Sequence, residues 1–302
     1  MKILNFGSLN IDYVYQVPHF VRPQETLAVQ GMQRFVGGKG LNQSIALARA
    51  GAKVWHIGLI GEDGLFLKDT LAQNGVNVDF IRTLPDTPSG HAIIQVNPEG
   101  ENNILIHGGT NQCFSLSFVE EVLSHAESDD IVLLQNEINL LPEIMALAHK
   151  RGLRVVFNVA PATAAVQHYP LEYVDLLLFN AIEGEMLTGY HDSSAVFDAL
   201  HMRAPKTTFV LTLGSQGACV FEKGETYFEP AIPVQAVDTT GAGDTFTGYF
   251  LNAWLQAQSI PTALAQACRA ASICITRPGA AASIPYAHQL RAYETDRCLD
   301  EA

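Results

Sequence analysis

Leu176-Leu177-Leu178-Phe179 and Val155-Val156-Phe157 are apolar at every position. Strands of this kind are buried on both faces, as in a parallel sheet that helices cover on both sides. Similar apolar runs occupy residues 54–59, 131–134 and 209–213, and segments of helical period alternate with them. The sequence therefore predicts an α/β fold in which crossover helices join parallel strands.

Six helices are predicted, at residues 41–50, 65–74, 118–124, 142–150, 242–257 and 260–275. Asp63 precedes the second helix, and Asn74-Gly75 follows it as an end signal. Ser117 and Glu120 have the spacing of a capping box at the start of the third helix. These residues predict where both helices begin and where the second one ends.

Two segments interrupt the alternation of strands and helices, at residues 10–36 and 90–107. Both alternate with period two, and the second contains a predicted turn at Pro98-Glu99-Gly100. We expect a small separate sheet at the carboxyl edge of the main sheet, where open α/β folds bind ligands. The whole chain, residues 1–302, is thus predicted as a single domain with this sheet as a lid over an active site.

The composition of the chain excludes some functions. Its 302 residues include 18 Lys and Arg against 31 Asp and Glu, a net charge of −13, which disfavours nucleic acid as a partner. Since the N-terminus lacks a signal-peptide pattern and no apolar run could cross a bilayer, we expect a soluble cytoplasmic protein without a membrane partner. The cysteines have no disulfide or metal-binding spacing, so we predict free thiols at Cys113, Cys219, Cys268, Cys274 and Cys298.

The strongest local signal is Asp238-Thr239-Thr240-Gly241-Ala242-Gly243-Asp244-Thr245-Phe246, directly before a predicted helix. Its glycines allow a tight turn, and the N–H groups of the helix start can bind an anion. Asp244 could accept a proton from an attacking hydroxyl while these N–H groups stabilise a transferring phosphoryl group. The alternative is an ordinary glycine turn with an acidic residue at a helix N-terminus.

The second signal is Gly37-Gly38-Lys39-Gly40-Leu41-Asn42-Gln43, again at a turn into a helix. The glycines permit close approach of a ligand, and the amides of Asn42 and Gln43 can bond hydroxyl groups, as a polyol requires. A glycine-rich corner with a solvated Lys39 is the alternative.

The first signal, residues 238–246, lacks the Walker-type sequence G-x-x-x-x-G-K-[ST]. Its loop would therefore bind phosphate in a different way.

Together these two loops resemble the paired signatures of the ribokinase family, also called the PfkB carbohydrate kinases. Further matching segments are Gly7-Ser8-Leu9-Asn10-Ile11-Asp12, Glu137 after a strand, Asn180-x-x-Glu183 and Thr212-Leu213-Gly214-Ser215-x-Gly217. The resemblance extends over nearly the whole chain. It implies a three-layer α/β/α sandwich with a mostly parallel central sheet and a small β-sheet lid, and an ATP-dependent kinase that phosphorylates a sugar hydroxyl.

The resemblance also implies roles for individual residues. Sugar binding falls to Asn10, Asp12, Gly38, Lys39, Asn42, Glu137 and Asp244. Asp244 would be the catalytic base, beside an anion hole formed by Gly241, Ala242 and Gly243. ATP would contact Asn180, Thr212, Gly214, Ser215, Gly217, Gly243 and Cys268. Glu183 would bind Mg²⁺ through water, and a monovalent cation, usually K⁺, would lie at Asp238, Thr240, Cys274, Arg277, Gly279 and Ser283, largely on carbonyl oxygens.

Within the family, Gly-Gly-Lys-Gly followed by Asn42-Gln43 is more typical of members that convert D-ribose to ribose 5-phosphate. Phosphofructokinase-type members share this loop but need further basic residues, and no additional cluster of Arg or Lys lies near the lid segments beyond Arg34 and Lys39. Leu41, Gln24 and Val159 depart from the usual family pattern. The implied partners are a free sugar, ATP and a second copy of the chain bound through the lid.

Other functions remain open at this point. The chain could phosphorylate another sugar or a nucleoside, or it could be a catalytically silent sensor of a sugar or nucleotide on the same fold. A dinucleotide-dependent oxidoreductase is disfavoured because no G-x-G-x-x-G follows the first strand, and the segment after Gly7 is predicted as a strand rather than a helix.

Overall fold

The structure is a computed structural model that describes residues 1–290. In chain order its strands are β1 (Ile3–Phe6), β2 (Asn10–Gln16), β3 (Gly31–Gly37), β4 (Val54–Gly61), β5 (Ile81–Leu84), β6 (Gly90–Val96), β7 (Asn102–His107), β8 (Ile131–Gln135), β9 (Arg154–Asn158), β10 (Leu176–Asn180), β11 (Thr208–Thr212), β12 (Gly217–Glu222) and β13 (Glu225–Pro230). The α-helices are α1 (Lys39–Ala50), α2 (Leu65–Gln73), α3 (Leu116–Ser124), α4 (Leu141–Lys150), α5 (Ala181–Thr188), α6 (Ser193–Arg203), α7 (Ala242–Leu255) and α8 (Ile260–Ile275).

Nine strands form the main sheet, in the order β13-β12-β11-β10-β9-β8-β1-β4-β5. Neighbours are parallel except where β12 pairs with β11 and with β13. The central strands β1, β8, β9 and β10 are almost wholly buried, because helices cover both faces of the sheet. The predicted mostly parallel α/β sheet is confirmed.

Two separate hydrophobic cores lie on opposite faces of this sheet. Helices α1, α2, α7 and α8 pack on one face, where Ile45 and Phe250 are fully buried. Helices α3, α4, α5 and α6 pack on the other, around side chains such as Phe157 and Phe209. The alternation of side chains along each strand sends residues to both cores, and the result is a three-layer sandwich.

The strand order reverses beside β1. The chain continues from β1 to β4 and β5 on one side, whereas β8 to β11 follow one another on the other side. Ligands bind outside the carboxyl ends of strands at such a switch point. Ser8, just beyond β1, and Glu137, just beyond β8, meet there through a short hydrogen bond from the Ser8 hydroxyl to Glu137 Oε2.

A second sheet of four strands has the order β3-β2-β6-β7 and is inserted after β1 and after β5. Its base is held where Asn111 Nδ2 donates to Asn10 Oδ1 at 2.7 Å. The small sheet predicted within residues 10–36 and 90–107 is confirmed, although residues 17–30 contain no strand. Strand β3 ends at Gly37, immediately before α1, so this sheet leads directly into the Gly-Gly-Lys-Gly loop.

Two predicted helix caps were wrong. Ser115, not Ser117, caps α3, because its extended backbone lets its hydroxyl accept from the N–H of Phe118 at 3.2 Å. Asp63 does not cap α2, whose N-cap is Gly64. The Asp63 carboxylate instead accepts from the N–H and the hydroxyl of Ser89, at 3.0 and 2.7 Å, which fixes the start of the lid strand β6.

Helix bounds otherwise differ from prediction by a few residues at most. Helix α1 begins at Lys39, so the lysine of the glycine loop belongs to the helix itself. Helices α5 and α6 were not among the predicted helices, since their apolar residues show no clear amphipathic period. The predicted free thiols at Cys113, Cys219, Cys268 and Cys274 are unbridged, and Cys298 lies outside the described residues.

Candidate active site

Asp244 lies in the first turn of α7, behind a glycine that the backbone requires. Gly241 is the N-cap with φ of 79°, a left-handed conformation, and a Cβ there would come within 3.1 Å of Ala280 Cα. Gly243 has open space where its side chain would be. N–H groups in the first turn of a helix lack intrahelical partners, although that of Ala242 donates to Thr239 O at 3.3 Å. The loop thus presents backbone donors beside a carboxylate.

Both oxygens of the buried Asp244 carboxylate accept hydrogen bonds from α1. Asn42 Nδ2 donates to Oδ2 at 3.0 Å, and Gln43 Nε2 donates to Oδ1 at 2.9 Å. Asn42 Oδ1 is buried and has no hydrogen-bond partner among the described residues. The two predicted glycine loops, about 200 residues apart, therefore meet side chain to side chain.

Lys39 is the cation among the acidic side chains of the site. Burial alone would lower its pKa, but the carboxylates of Asp244, Glu137 and Glu183 outweigh burial and raise it. Lys39 therefore stays charged. Its own backbone N–H donates to Glu137 Oε2 at 2.9 Å, which ties the glycine loop to the end of β8.

Glu137 and Asp12 form a pair of carboxylates between the main sheet and the lid. Burial raises the pKa of Glu137, against the opposing effects of Lys39 and the Ser8 hydroxyl. Burial, with the added charge of Glu137, raises the pKa of Asp12 to about 7. Gly37 and Gly38 leave room beside the lid, since a Cβ on Gly37 would overlap the Asp12 carboxylate. Holding these two carboxylates close together therefore lowers the stability of the folded protein.

Asn180 and Glu183 form a capping box at the end of β10. The Asn180 side chain accepts from the N–H of Glu183 at 2.9 Å, and Glu183 Oε2 accepts from the N–H of Asn180 at 2.9 Å. Burial raises the pKa of Glu183, while the Asn180 N–H and Lys39 act in the opposite direction. One Glu183 oxygen is thereby occupied, and the cap holds the side chain rigidly.

Two clefts meet at Gly243. A polar cleft of about 300 Å³ contains Lys39, Glu183 and Asp244. An apolar cleft of about 520 Å³ lies beside it, and both are lined by Thr212, Thr239 and Gly243. The predicted ATP-binding residues divide between them: Asn180 lines the polar cleft, and Thr212, Gly214, Ser215, Gly217, Gly243 and Cys268 line the apolar one.

The residues predicted for a monovalent cation come together where the loop before α7 meets the end of α8 and the loop after it. Asp238 accepts from the N–H of Thr240 at 2.9 Å and of Gly279 at 2.8 Å, which joins the two loops concerned. Cys274 is fully buried, with Sγ 3.0 Å from the Ser283 hydroxyl and 3.9 Å from the Thr240 carbonyl oxygen. Arg277 points elsewhere, since its guanidinium donates to Gln289 at 3.3 Å.

Within residues 1–290, no three His, Cys, Asp or Glu side chains cluster as a metal site. Glu183 and Asp244 are the two buried carboxylates among the residues that line the polar cleft, and so small a donor set suits a hydrated Mg²⁺ carried by nucleotide phosphates. No helix in this part of the chain is long and apolar enough to cross a membrane.

The chain is similar over most of its length to known carbohydrate kinases. The sequence profile of the pfkB family carbohydrate kinases matches residues 1–287. The chain belongs to the pfkB family of carbohydrate kinases. A ribokinase from Haemophilus influenzae is 39% identical to this family member over 288 residues, covering 92% of the chain and 94% of the relative. The resemblance drawn from the two glycine loops is therefore confirmed.

Solved structures of the same family have the same fold. A ribokinase from Cryptococcus neoformans in complex with ADP superimposes with a TM-score of 0.84 at 32% identity, covering 97% of this chain and 99% of that one. Arabidopsis thaliana ribokinase complexed with ribose and ATP also reaches 0.84, at 29% identity and with 96% and 97% coverage. These matches confirm the predicted sandwich with its four-stranded second sheet.

Sequence reasoning missed several residues that build the site. Asn111 holds Asn10, and Asn158 Nδ2 donates to the Thr247 hydroxyl at 3.2 Å inside the polar cleft. Asn158 ends β9, so its place at a strand's carboxyl end was a usable signal. Residues 231–236, which supply most of one wall of the apolar cleft, form an irregular segment with no sequence signal of their role.

Proposed function

We propose that this chain is an ATP-dependent kinase that phosphorylates the primary hydroxyl of D-ribose to give ribose 5-phosphate. The observation that carries the proposal is the place of Asp244, where a polar cleft and an apolar cleft meet at Gly243. A base at that junction can reach a nucleotide phosphate in the clefts, and a sugar held at Asp12 and Glu137, which line neither cleft, would approach it from the side of the lid. The ribokinase relatives, one of them solved with ribose and ATP, support ribose as the sugar.

The sugar would lie between Asp244 and the lid. Asp12 and Glu137 would accept hydrogen bonds from its hydroxyls, and the partnerless Asn42 Oδ1 would accept another. Asn10, Gly38 and Lys39 complete the proposed pocket. Hydroxyl donors at these acceptors would relieve the repulsion between the two carboxylates, so this part of the site favours a polyol ligand.

ATP would lie along the apolar cleft with its base near Cys268 and its phosphates at Gly243. Asp244 takes the proton of the primary hydroxyl as that oxygen bonds to the γ-phosphorus, and the bond from phosphorus to the ADP oxygen breaks. Lys39 and the N–H groups of Gly241 and Gly243 would stabilise the charge on the phosphoryl oxygens, whereas the N–H of Ala242 donates to Thr239 O. Mg²⁺, held through water by Glu183, would neutralise charge on the nucleotide phosphates.

We further propose K⁺ as an activating ion at the loops joined by Asp238, where Thr240, Cys274, Gly279 and Ser283 converge. Arg277 would contribute only through its carbonyl oxygen. An ion there would hold the loop that begins α7, and with it the N–H groups of the anion hole, in place.

A homodimer formed through the lid is also proposed. Pairing across the sheet puts the exposed Ile104 and Ile106 on the same face as Asp12, where a second copy could cover them.

We also propose that the protein is cytoplasmic and that the chain forms one domain with an inserted lid.

The test is ATP turnover by the purified chain with ribose, 2-deoxyribose, fructose, adenosine or fructose 6-phosphate, each in K⁺ or Na⁺ buffer. We expect the highest kcat/KM for ribose, with turnover raised by K⁺. Turnover with another member alone would retain the kinase and reject ribose. Binding of ATP with no turnover on any member would instead favour a silent sensor.

A further inference from the structure

A line of buried amide side chains leads from the centre of the main sheet to Asp244. Asn5, on β1, lies beside Gln135 at the end of β8, and Gln135 Nε2 donates to Asn5 Oδ1 at 2.9 Å. The same nitrogen donates to Gln43 Oε1 at 2.9 Å, and Gln43 Nε2 donates to Asp244 Oδ1 at 2.9 Å. The side chains of this amide line, Asn5, Gln135 and Gln43, are all fully buried.

The hydrogen-bonding direction of this amide line is set at its far end. Asn5 Nδ2 donates to the carbonyl oxygen of Gly40 at 2.9 Å, and a carbonyl oxygen can only accept. Asn5 must therefore present its oxygen to Gln135, which must answer with its nitrogen. Since that nitrogen also donates to Gln43 Oε1, Gln43 has only its nitrogen left to point at Asp244. Each amide fixes the next.

One atom of the line is left without a partner. Gln135 Oε1 is buried and accepts no hydrogen bond from any described residue, which costs free energy. Turning the Gln135 amide over would not remove this cost, because its oxygen would then face the oxygens of both Asn5 and Gln43. The arrangement leaves one acceptor unpaired and keeps a donor aimed at Asp244.

We propose that Asn5, Gln135 and Gln43 are positioning residues for the phosphoryl-transfer step. They hold the Gln43 amide as a donor to Oδ1 of Asp244, which fixes the orientation of that carboxylate, so that it can receive the hydroxyl proton. The proposal rests on the role of Asp244 as the base. Other charged or titratable groups that act on this part of the site are Lys39 of α1, Glu137 beyond β8, Glu183 of α5 and Cys274 of α8.

Gln135→Glu tests the direction of the line with an isosteric change. A carboxylate cannot donate, so Gln43 would turn its nitrogen to Glu and its oxygen to Asp244. In a plot of kcat against pH, the acidic limb should then move to higher pH by about one to two units. At neutral pH, kcat should fall about tenfold or more. KM for ribose and for ATP should change less than about threefold, because Asn5, Gln43 and Gln135 line neither cleft.

Gln135→Met and Ser44→Ala are the matched controls. Methionine removes the donor without forcing Gln43 to turn, so the acidic limb should stay in place while kcat falls only a few fold. Ser44 accepts from Asn5 Nδ2 at 2.8 Å, beyond the Gly40 carbonyl that sets the direction, so its loss should lower the melting temperature without moving the limb. A purely structural role predicts instead that all three variants lose activity in step with their melting temperatures.

Gln43→Met keeps the proposal testable should Gln135→Glu fail to fold, as judged by melting temperature and ADP binding. It removes the donor itself, so the limb must move, and adding Gln135→Glu to it should move the limb no further. If Asp244→Asn is inactive but the acidic limb of the pH profile is unchanged in both Gln43→Met and Gln135→Glu, the positioning role is wrong while the base assignment stands. An active Asp244→Asn would overturn both the base and the inference.

Discussion

The two clefts that meet at Gly243 are built on opposite principles. In the polar cleft, Asp244 and Glu183 are buried carboxylates with defined hydrogen-bond partners, and Lys39 is a half-buried cation whose pKa nearby carboxylates raise. The apolar cleft is walled by small aliphatic residues such as Ala231, Val234 and Ala271, with few polar atoms exposed. A substitution that moves one polar atom should therefore lower activity strongly in the polar cleft. Ligand binding in the apolar cleft should respond mainly to changes in side-chain shape.

The largest effect is expected at the base. Asp244→Asn keeps the shape and the Asn42 contact but cannot take up a proton, so kcat should fall about 10³-fold while ADP affinity changes little. Steady-state kinetics with calorimetric ADP binding would measure both. Turnover within tenfold of the parent would show that the polar cleft does not depend on its carboxylate.

Asp12→Asn should act on sugar binding rather than on turnover. Removing a charged acceptor should raise KM for ribose about 10- to 100-fold with kcat less affected. Since the Asp12 pKa is about 7 in the free protein, the KM of the parent should rise as the pH falls below 7, and that dependence should weaken in the variant. Ribose kinetics from pH 5.5 to 8.5 would measure this.

The same substitution has a stability counterpart with a definite sign. An acid whose pKa is raised on folding binds more protons when folded, so it lowers stability progressively as the pH rises from about 4 to about 7. Asp12→Asn should therefore raise the melting temperature at pH 8, by about 2 °C or more, and hardly change it at pH 4. A lower melting temperature at pH 8 would contradict the unfavourable burial of this carboxylate.

Gly243 and Gly241 offer a matched pair at the junction of the clefts. Gly243→Ala meets no protein atom but projects into the nucleotide path, so KM for ATP should rise about tenfold at an unchanged melting temperature. Gly241→Ala must adopt a φ of 79° beside Ala280, so it should destabilise the fold by about 1–3 kcal/mol. Thermal unfolding and ATP kinetics of both variants would separate the two effects.

The smallest effect is expected in the apolar cleft. Cys268 contributes a buried thiol whose pKa is raised to about 12 by burial and by Glu229, so it stays neutral and acts as a small apolar group. Cys268→Ala should change KM for ATP less than about threefold, and Cys268→Phe, which fills the cleft, should raise it far more. Equal effects of both substitutions would mean that the thiol itself binds the nucleotide.

The sequence determined the fold class and the identity of the two glycine loops of the site. Apolar runs such as 176–179 can only be buried on both faces, and period-two segments cannot sit within a helical layer, so the sandwich and its second sheet were predictable. Gly-Gly-Lys-Gly and Gly-Ala-Gly-Asp were recognisable because backbone conformation restricts these positions to glycine, as at Gly38 and Gly241. Helices α5 and α6 were not predicted because their apolar residues show only a weak helical period.

Only the tertiary structure decided how those loops are completed. The cap of α3, the use of Asp63 to hold the lid, and the partners of Asp244 all depend on side chains that approach from distant parts of the chain. Asn5 and Gln135 carry no local signal, since a buried amide has the same sequence context as an exposed one. The Gln43 amide, predicted to bond a polyol, instead connects Gln135 with Asp244. Their direction of hydrogen bonding follows from the Gly40 carbonyl, and such a constraint exists only once β1, β8 and α1 have packed together.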